Sequence, residues 1–333
     1  MLTNAGSDRV ARVRRLGRRS ARLETGSLLV EGPQACREAA LAGLVSDLYL
    51  TPDAVLRFPE TVEACAGSGG FVHEASREYV DAISGDAQGV AAVARDPWAG
   101  LGLEEGLREA LGGAAGCDGQ ERRGAGFPDL GERAAFTSEA GAIGRSGPDA
   151  SGGYSSGGSA LVAGPLVAVF ERLRDPGNAG AAIRVADAAG ASLAVFADES
   201  VDATSPKVVR ASAGSYFHLP VVAAGAAADV AGVLKAAGFK VLAADGGGSA
   251  VLGEFGLPAG PVAWLFGNEA NGLSEAALAA ADAAVRIPIY GRAESLNVAT
   301  AAALCLYATA GGLSAHRSSL GGERGPAEDG ATR

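Results

Sequence analysis

Residues 265–306 have the sequence LFGNEANGLSEAALAAADAAVRIPIYGRAESLNVATAAALCL, which contains two polar turns between apolar segments. A strand is predicted at 262–266, and it ends at Gly267 before the polar turn 268–272. A short alanine-rich helix is predicted at 273–284. Ligands of open α/β sheets bind outside the carboxyl ends of strands, so this turn is predicted to form part of a binding site.

The second turn follows directly along the chain. A strand is predicted at 286–289, where Pro288 suits a strand end or edge because proline cannot donate a ladder hydrogen bond. Residues 291–294 turn the chain, and a helix is predicted to begin at Ser295 with Asn297 in its first turn. The two turns hold nearly all the polar atoms of this apolar region, which favours one shared site.

Asparagine is rare in this sequence and is concentrated in predicted turns. The chain has five asparagines, and its three lysines are far outnumbered by arginines, a bias typical of GC-rich coding. Asparagine that persists under such a bias is favoured as functional, although asparagine is also a good turn former. Four of the five lie in three turns: Asn178, Asn268, Asn271 and Asn297.

The length of 333 residues suits two domains of ordinary size. The four cysteines (Cys36, Cys65, Cys117 and Cys305) lie apart from one another and from the three histidines, so neither a metal site nor a disulfide framework is expected. No run approaches the roughly 18 apolar residues of a membrane span, and the arginine-rich N-terminus lacks the apolar core of a secretory signal. A cytoplasmic protein without a membrane partner is expected.

The formal net charge of −10 argues mildly against a nucleic-acid-binding protein, but the charge is unevenly distributed. Residues 1–26 contain seven arginines and two acidic residues, seven minus two giving +5. Such a segment is able to contact phosphates, and it equally suits a solvated helix face. From charge alone both interpretations remain open.

The remaining chain divides by composition. Short alternating strands and helices at 27–95 predict a small α/β sandwich. Residues 96–160 contain seventeen glycines and are predicted to be a disordered linker or insertion, with a transient helix at most near 101–111. Residues 161–315 alternate strands and helices again, which predicts a largely parallel sheet covered on both faces, and 316–333 are predicted to be a disordered tail.

Three separated segments resemble the three motifs of the SpoU (TrmH) family within the SPOUT RNA methyltransferases. The first is Asn178-x-Gly180-x-x-x-Arg184 in DPGNAGAAIRVADAAGA, the second is LFGNEANGL at 265–273, and the third is IPIYGRAESLNVA at 287–299. Their order and separations also fit, and the likeness covers 166–312. In addition, LLVEG at 28–32 is similar to the start of the family's substrate-binding domain, whereas the long segment 96–160 departs from the short connection usual in relatives.

The resemblance implies an α/β fold in which the C-terminal domain is a SPOUT deep trefoil knot and the N-terminal domain is L30e-like and binds RNA. It implies S-adenosylmethionine as cofactor, with Gly267, Ile287 and Leu296 at the family's contact positions. The implied reaction is methyl transfer to a ribose 2′-hydroxyl of RNA, carried out by a homodimer that forms through the knot domain.

The same resemblance assigns catalytic roles. Arg184 stands at the position of the family's catalytic arginine; its high pKa makes a general-base role awkward, so a phosphate clamp is favoured and proton transfer through a phosphate stays open. Asn178 and Ser295 are expected to orient Arg184 or the ribose, Asn297 to cap or brace the last helix, and Glu269 to accept backbone N–H groups of its turn. For Arg184 the alternative is a helix-surface arginine, and for Glu269 a purely structural turn carboxylate.

Ribosomal RNA is the preferred substrate, because an L30e-like domain suits a folded RNA loop, and transfer RNA is the alternative. Two further alternatives are a catalytically silent knotted RNA-binding protein and a base methyltransferase. The intact motifs disfavour the silent protein, and the pattern Ser295-Leu-Asn297 disfavours the base methyltransferase. The residues predicted to contact RNA are basic: Arg12, Arg15, Arg19, Lys207 and Arg210.

Overall fold

The first half of the chain contains a four-stranded mixed sheet in a computed structural model that describes residues 1–115, 165–258 and 260–320. Its strands are β1 Ser27–Glu31, β2 Val45–Leu50, β3 Phe71–Glu74 and β4 Val90–Arg95. Their order is β1-β4-β2-β3, with β2 and β3 parallel and the other pairs antiparallel. The helices of this half are α1 Asp8–Arg15, α2 Arg19–Thr25, α3 Pro33–Leu41, α4 Pro52–Arg57, α5 Pro59–Gly67 and α6 Arg77–Ile83.

The basic N-terminal segment packs onto this sheet as two helices. In α1 the apolar residues Val10 and Val13 recur at helical spacing, and both are buried in one cluster with Leu16, Tyr49 and Tyr79. The arginines of α1 lie on the opposite, exposed face. Helix α1 is therefore an amphipathic cover of the first domain that presents its positive charge to solvent.

The second half contains a parallel sheet of seven strands in the described part. They are β5 Leu166–Glu171, β6 Leu193–Ala197, β7 Val221–Ala223, β8 Lys240–Ala244, β9 Ala250–Val251, β10 Val262–Phe266 and β11 Ala283–Arg286. The order is β7-β6-β5-β10-β8-β11-β9, so β10 lies at the centre between β5 and β8. Every residue of β5 and β10 is buried, as expected for a parallel sheet covered on both faces.

Helices cover both faces of this sheet. They are α7 Leu103–Ala115, α8 Pro176–Ala188, α9 Pro206–Ala211, α10 Ala227–Ala236, α11 Glu275–Ala280 and α12 Val298–Leu320. On one face α12 packs against α8 and β10, and the buried Trp264 indole donates a hydrogen bond to Thr309 at 2.9 Å. The prediction of a parallel α/β domain is confirmed. None of the described helices is both long and apolar enough to cross a membrane.

The structure differs from the linker prediction at the start of 96–160. Trp98 is buried and donates to the carbonyl of Tyr216 at 2.7 Å, and α7 buries Leu107 and Ala110 against the second sheet. The apolar spacing of this short helix outweighed the glycine-rich composition around it. Residues 116–160 lie outside the described residues, as do 321–333 of the predicted tail, whereas residues 316–320 belong to α12.

Three predicted boundaries in the second half also shift. The helix predicted at 273–284 ends at Ala280, and the strand predicted at 286–289 ends at Arg286. Asp282 explains the early end of the helix, because its backbone N–H and its carboxylate pair with the carbonyl and the N–H of Val241 and draw the chain into the sheet. The last helix begins at Val298, so Pro288 and Ser295 lie in an irregular connection.

Polar side chains join the two halves along a line that we call the interdomain seam. Its members are Arg22, Glu31, Glu38, Asp86, Asp96, Asp187, Asp202, Thr204, Arg210, Tyr216 and His218. The guanidinium of the buried Arg22 donates to Asp202 at 2.5 Å and to the carbonyl of Leu16 at 2.7 Å. Burial opposes the ionisation of Asp202, but the hydrogen bonds from Thr204 and Arg22 outweigh it and lower the pKa of this carboxyl group.

Further along the seam, one apolar core runs beneath the polar contacts and includes residues of both sheets. Asp96 accepts a hydrogen bond from the Tyr216 hydroxyl at 3.0 Å, and burial raises the pKa of Asp96. The imidazole of His218 lies 2.8 Å from Asp187 and 3.5 Å from Glu38, so it bridges the two domains. The two domains are therefore joined by both apolar and polar contacts.

Candidate active site

A cleft of about 260 Å³ opens at the carboxyl ends of β8 and β10. Its lining comes from the end of β8, from the turn after β10 and from the connection that precedes α12. These residues are Ala244, Asp245, Gly246, Phe266, Gly267, Asn268, Glu269, Gly272, Ile287, Ile289, Glu294, Ser295, Leu296, Val298 and Ala301. The positions expected to contact a cofactor, Gly267, Ile287 and Leu296, all lie on this one cleft.

The turn after β10 is too tight for a side chain at its first residue. A Cβ atom on Gly267 would lie 2.2 Å from the carbonyl carbon of Gly272 and 2.3 Å from the nitrogen of Leu273. The chain doubles back at once, and the N–H of Gly272 donates to the carbonyl of Asn268 at 2.8 Å. Only glycine permits this approach, which places backbone groups rather than side chains at the wall of the cleft.

Two residues at the end of β5, which were not among the predicted site residues, anchor this turn. Glu171 is buried, and its carboxylate accepts a hydrogen bond from the N–H of Ser274 at 2.8 Å. Arg172 has a positive φ of 53°, and its carbonyl accepts a hydrogen bond from the side chain of Asn268 at 3.0 Å. An adjacent acid and base at the end of an apolar strand is the sequence signal that could have found them.

Three predicted catalytic residues, one from each motif, form a hydrogen-bonded chain that we call the amide chain. The Nδ2 atom of Asn178 donates to Glu269 at 2.5 Å, and the Nδ2 atom of Asn297 donates to the Oδ1 atom of Asn178 at 2.8 Å. Asn297 also accepts a hydrogen bond from the N–H of Ala299 at 2.9 Å, which confirms its predicted capping of the last helix. Asn178 therefore ties the first motif to the second and the third.

The partners of Glu269 and Asn178 differ from expectation. Within the described residues, Glu269 bonds to the amide of Asn178 instead of to backbone N–H groups of its own turn. Within the turn, Asn268 accepts from the N–H of Ala270 at 2.8 Å, and just beyond the turn Glu171 accepts from the N–H of Ser274. Asn178 is likewise committed to Glu269 and Asn297, so it does not orient Arg184 by direct contact.

Arg184 lies on α8, six residues after Asn178. It is exposed, and its guanidinium forms no hydrogen bond or ion pair within the described parts of the chain. Close packing fixes the helix beneath it, because a Cβ atom on Gly180 would lie 2.4 Å from the Cβ atom of Ala211 in α9. The arginine therefore projects from a rigid element with its donors available, while Ser295 lies exposed at the cleft.

The basic residues predicted to contact RNA divide into two groups. Arg12, Arg15, Arg19 and Lys207 are exposed. Arg210 instead donates from one nitrogen to Glu31 at 2.8 Å and lies 2.7 Å from Asp86. Its charge is neutralised within the seam, so the prediction of an RNA contact is replaced by an interdomain role.

The cleft combines apolar walls with negative charge. Phe266, Ile287 and Leu296 supply apolar surface, and carboxylates of Asp245, Glu269 and Glu294 also line it. No group of three or more His, Cys, Asp or Glu side chains placed to hold a metal ion occurs among the described residues. The arrangement suits a ligand with an apolar body and a positive charge.

Residues 165–307 match the model of the SpoU rRNA Methylase family. This segment of the chain belongs to the SpoU family. A 23S rRNA (guanosine(2553)-2′-O)-methyltransferase of Bacillus subtilis is 40% identical over 147 residues, which cover 42% of this chain and 56% of that protein. The chain thus spans little more than half the length of the curated relatives it matches.

Solved structures resemble the described fold over a longer range than the curated relatives do. An RNA 2′-O ribose methyltransferase has a TM-score of 0.64 at 28% identity, covering 96% of this chain and 99% of that one. The SpoU methyltransferase AviRb of Streptomyces viridochromogenes, solved in complex with AdoMet, has a TM-score of 0.63 at 25% identity, covering 95% and 100%. The likeness to these two structures therefore includes both halves of the chain.

Proposed function

We propose that this protein transfers a methyl group from S-adenosylmethionine to a ribose 2′-hydroxyl of RNA, with ribosomal RNA as the first candidate. One observation carries the proposal: the second and third motifs line one cleft, and Asn178 of the distant first motif is hydrogen-bonded to both of them through the amide chain. The named activities of the SpoU relatives support the same reaction.

The cleft fits the proposed cofactor. S-adenosylmethionine has an apolar adenosyl body and a positively charged sulfonium, which correspond to the apolar walls and the carboxylates of the cleft. Gly267, Ile287 and Leu296 would hold it, with the first supplying backbone groups that no side chain obstructs. When bound, the cofactor supplies an activated methyl group, so the protein has only to position a hydroxyl group and manage its proton.

The residues of the first motif suit that task. Arg184 has a planar guanidinium that can bind a phosphate at two points. Its donors are available and its helix is fixed, so we assign it to clamping the RNA phosphate beside the target ribose. The amide chain, with Ser295, holds the rim of the cleft and offers neutral hydrogen-bonding groups to the ribose. The hydroxyl proton would leave through the clamped phosphate or water, since arginine stays protonated.

The finer architecture forms part of the same proposal. The connection between β11 and α12 returns across the carboxyl ends of the strands to bring Asn297 to Asn178, which supports a trefoil knot. The first domain would be the L30e-like RNA-binding module. Exposed Leu304 and Tyr307 on α12 support a homodimer that buries them. A cytoplasmic location follows from an RNA substrate.

Methyl transfer to RNA tests the proposal directly. Purified protein is incubated with tritiated S-adenosylmethionine and either unmodified ribosomal RNA or unmodified transfer RNA, and the product is mapped by primer extension at limiting nucleotide concentration. We expect incorporation into one ribose of ribosomal RNA. Incorporation into transfer RNA would show that transfer RNA is the substrate, and incorporation into a base would show that the protein is a base methyltransferase. Cofactor binding without incorporation into either RNA would support a catalytically silent RNA-binding protein.

A further inference from the structure

A column of aromatic rings runs from the interior of the first domain to its exposed edge strand. Tyr49 lies 6.0 Å from Tyr79 and 5.0 Å from His73 between ring centroids, and His73 lies 6.5 Å from Phe71. The planes of the last three rings are within 23° of parallel. Both tyrosines are buried, whereas Phe71 is 69% exposed. The column therefore ends in an aromatic face that the described protein does not cover.

The sheet register produces this alignment. The edge strand β3 pairs with β2 so that Phe71 lies opposite Asp47 and His73 opposite Tyr49. Side chains two residues apart on a strand share a face, so both rings stand on the face that α1 and α6 cover further in. The Nε2 atom of His73 lies within hydrogen-bond distance of the Asp47 carboxylate, at 2.9 Å. Ring orientation is thus fixed before any ligand arrives.

Positive charge accompanies the column. Arg9 and Arg12 lie on α1, whose buried residues Val10 and Val13 pack in the same cluster as Tyr49 and Tyr79. Both arginines are exposed. The exposed arginines of α1 therefore form a cationic track beside the buried end of the aromatic column.

We propose that Phe71, supported from behind by His73, stacks an unpaired base of an RNA strand, while Arg9 and Arg12 hold its phosphates. Aromatic faces beside a cationic track bind single-stranded nucleic acid with little dependence on sequence, because every base has a π face. A duplex keeps its bases stacked on each other and cannot use the column. The inference rests on the proposed function for the identity of the polymer, and it specifies that a single-stranded loop of the target contacts this domain.

The binding test uses the full-length protein and a fluorescent single-stranded RNA of about 12 nucleotides, within the range of known single-strand sites. Phe71→Ala is expected to weaken binding about 5- to 100-fold, the effect of losing one base stack. Phe71→Trp should bind at least as well as the wild type. The matched control is Leu56→Ala, because Leu56 is 83% exposed in the same domain and lies outside the column. Duplex RNA of the same sequence should not distinguish the variants.

Salt dependence separates stacking from charge. The logarithm of affinity falls with the logarithm of salt concentration by about 0.7 for each neutralised phosphate of a single strand. Arg9→Gln combined with Arg12→Gln should reduce this slope by about 1.4, that is, by two phosphates. Phe71→Ala should leave the slope unchanged while lowering affinity at every salt concentration.

Two results would overturn the inference. One is an affinity of Phe71→Ala for the single-stranded RNA that lies within twofold of that of the Leu56→Ala control. The other is the finding that Phe71 is required for binding a peptide strand at the β3 edge and not for binding RNA. These outcomes are distinct from failure of the proposed function. If the wild-type protein binds RNA through Phe71 yet transfers no methyl group, the proposed methyltransferase function is refuted and the stacking surface is still supported. If methyl transfer is normal and RNA affinity does not depend on Phe71, only the proposal of a stacking surface is refuted.

Discussion

The amide chain and the interdomain seam are both polar, but they are built from different groups. The amide chain consists of two neutral amides and one carboxylate near the surface, with the exposed Arg184 close by in sequence and without a partner among the described residues. The seam consists mainly of paired charges, and its Arg22 is almost completely buried. One network leaves a cation available to a ligand, whereas the other neutralises its cations internally.

This difference separates an arginine that acts on a ligand from an arginine that holds the fold. A charge paired twice by carboxylates, as in Arg210, has little remaining capacity to bind phosphate. An exposed arginine on a rigid helix keeps that capacity. Position in a motif and exposure of the guanidinium together identify the functional residue better than the local density of basic residues does.

The largest effect is expected from Arg184→Ala. Methyl transfer should fall by at least about 100-fold, because the group acts on the substrate in the transition state. Cofactor affinity measured by calorimetry should stay within a few-fold, and Arg184→Lys should also fail largely because a point charge cannot replace a two-point clamp. Arg108→Ala, an exposed helix arginine in α7, is the control. Near-normal transfer by Arg184→Ala would refute the catalytic assignment.

Gly267→Ala should weaken cofactor binding about 10- to 100-fold, because the new methyl group overlaps the backbone of Gly272 and forces the turn open. Gly246 lines the same cleft, and a Cβ atom there would meet nothing within 4 Å. Gly246→Ala should therefore bind within about twofold of the wild type. Calorimetry on both variants makes the comparison, and equal affinities would show that the tight turn does not shape the cofactor site.

Arg22→Met should lower the free energy of unfolding by about 2–4 kcal/mol, because it removes the buried charge that pairs with Asp202 and the donor to the carbonyl of Leu16. Asp202→Leu in the same chain should restore part of this loss, since both charges are then absent. Urea denaturation measures each value. A double variant less stable than the single one would mean that packing, not the lost charge partner, explains the effect.

The smallest effect concerns His218 and depends on pH. The hydrogen bond to Asp187 raises the pKa of His218, although partial burial acts in the opposite direction and Glu38 adds to the increase. A higher pKa in the folded state means that the protonated histidine stabilises the protein fully below its unfolded pKa of 6.5. The stabilisation is lost as pH rises through the folded value.

His218→Gln should consequently lower the Tm more at about pH 6 than at about pH 8.5. Thermal melts at both values measure the difference. Asp187→Asn should reduce the pH dependence in the wild-type background, because it removes the main cause of the shift. A constant difference between His218→Gln and the wild type at all pH values would show that the imidazole contributes packing only.

The parallel domain and the cleft residues could be predicted because their signals are local. Apolar strands such as 166–170 and 262–266, each followed by a polar turn, indicate a parallel sheet with a site at its carboxyl ends. The glycine at 267 and the asparagine at 297 then act through the backbone beside them. Local geometry is encoded in neighbouring residues, so pattern and motif were sufficient.

Contacts between distant segments could not be predicted in the same way. Neither the anchoring of the turn by Glu171 nor the engagement of Asn178 by Glu269 leaves a trace in sequence spacing. Arg210 was assigned to RNA because a basic helix end has the same composition whether its partner is phosphate or a carboxylate from another domain. The helix α7 was underestimated because its apolar residues are few, and tertiary packing determines whether such a helix is stable.

The seam and the shared core also hold the two domains at a fixed separation. With the first domain joined to the second, the span between the aromatic column and the cleft is set by the protein and not by its substrate. On the proposed function, the nucleotide to be methylated would be chosen by its separation from the loop that the first domain holds. Lengthening or shortening the RNA helix between loop and target would then move the methylated position by the same number of nucleotides.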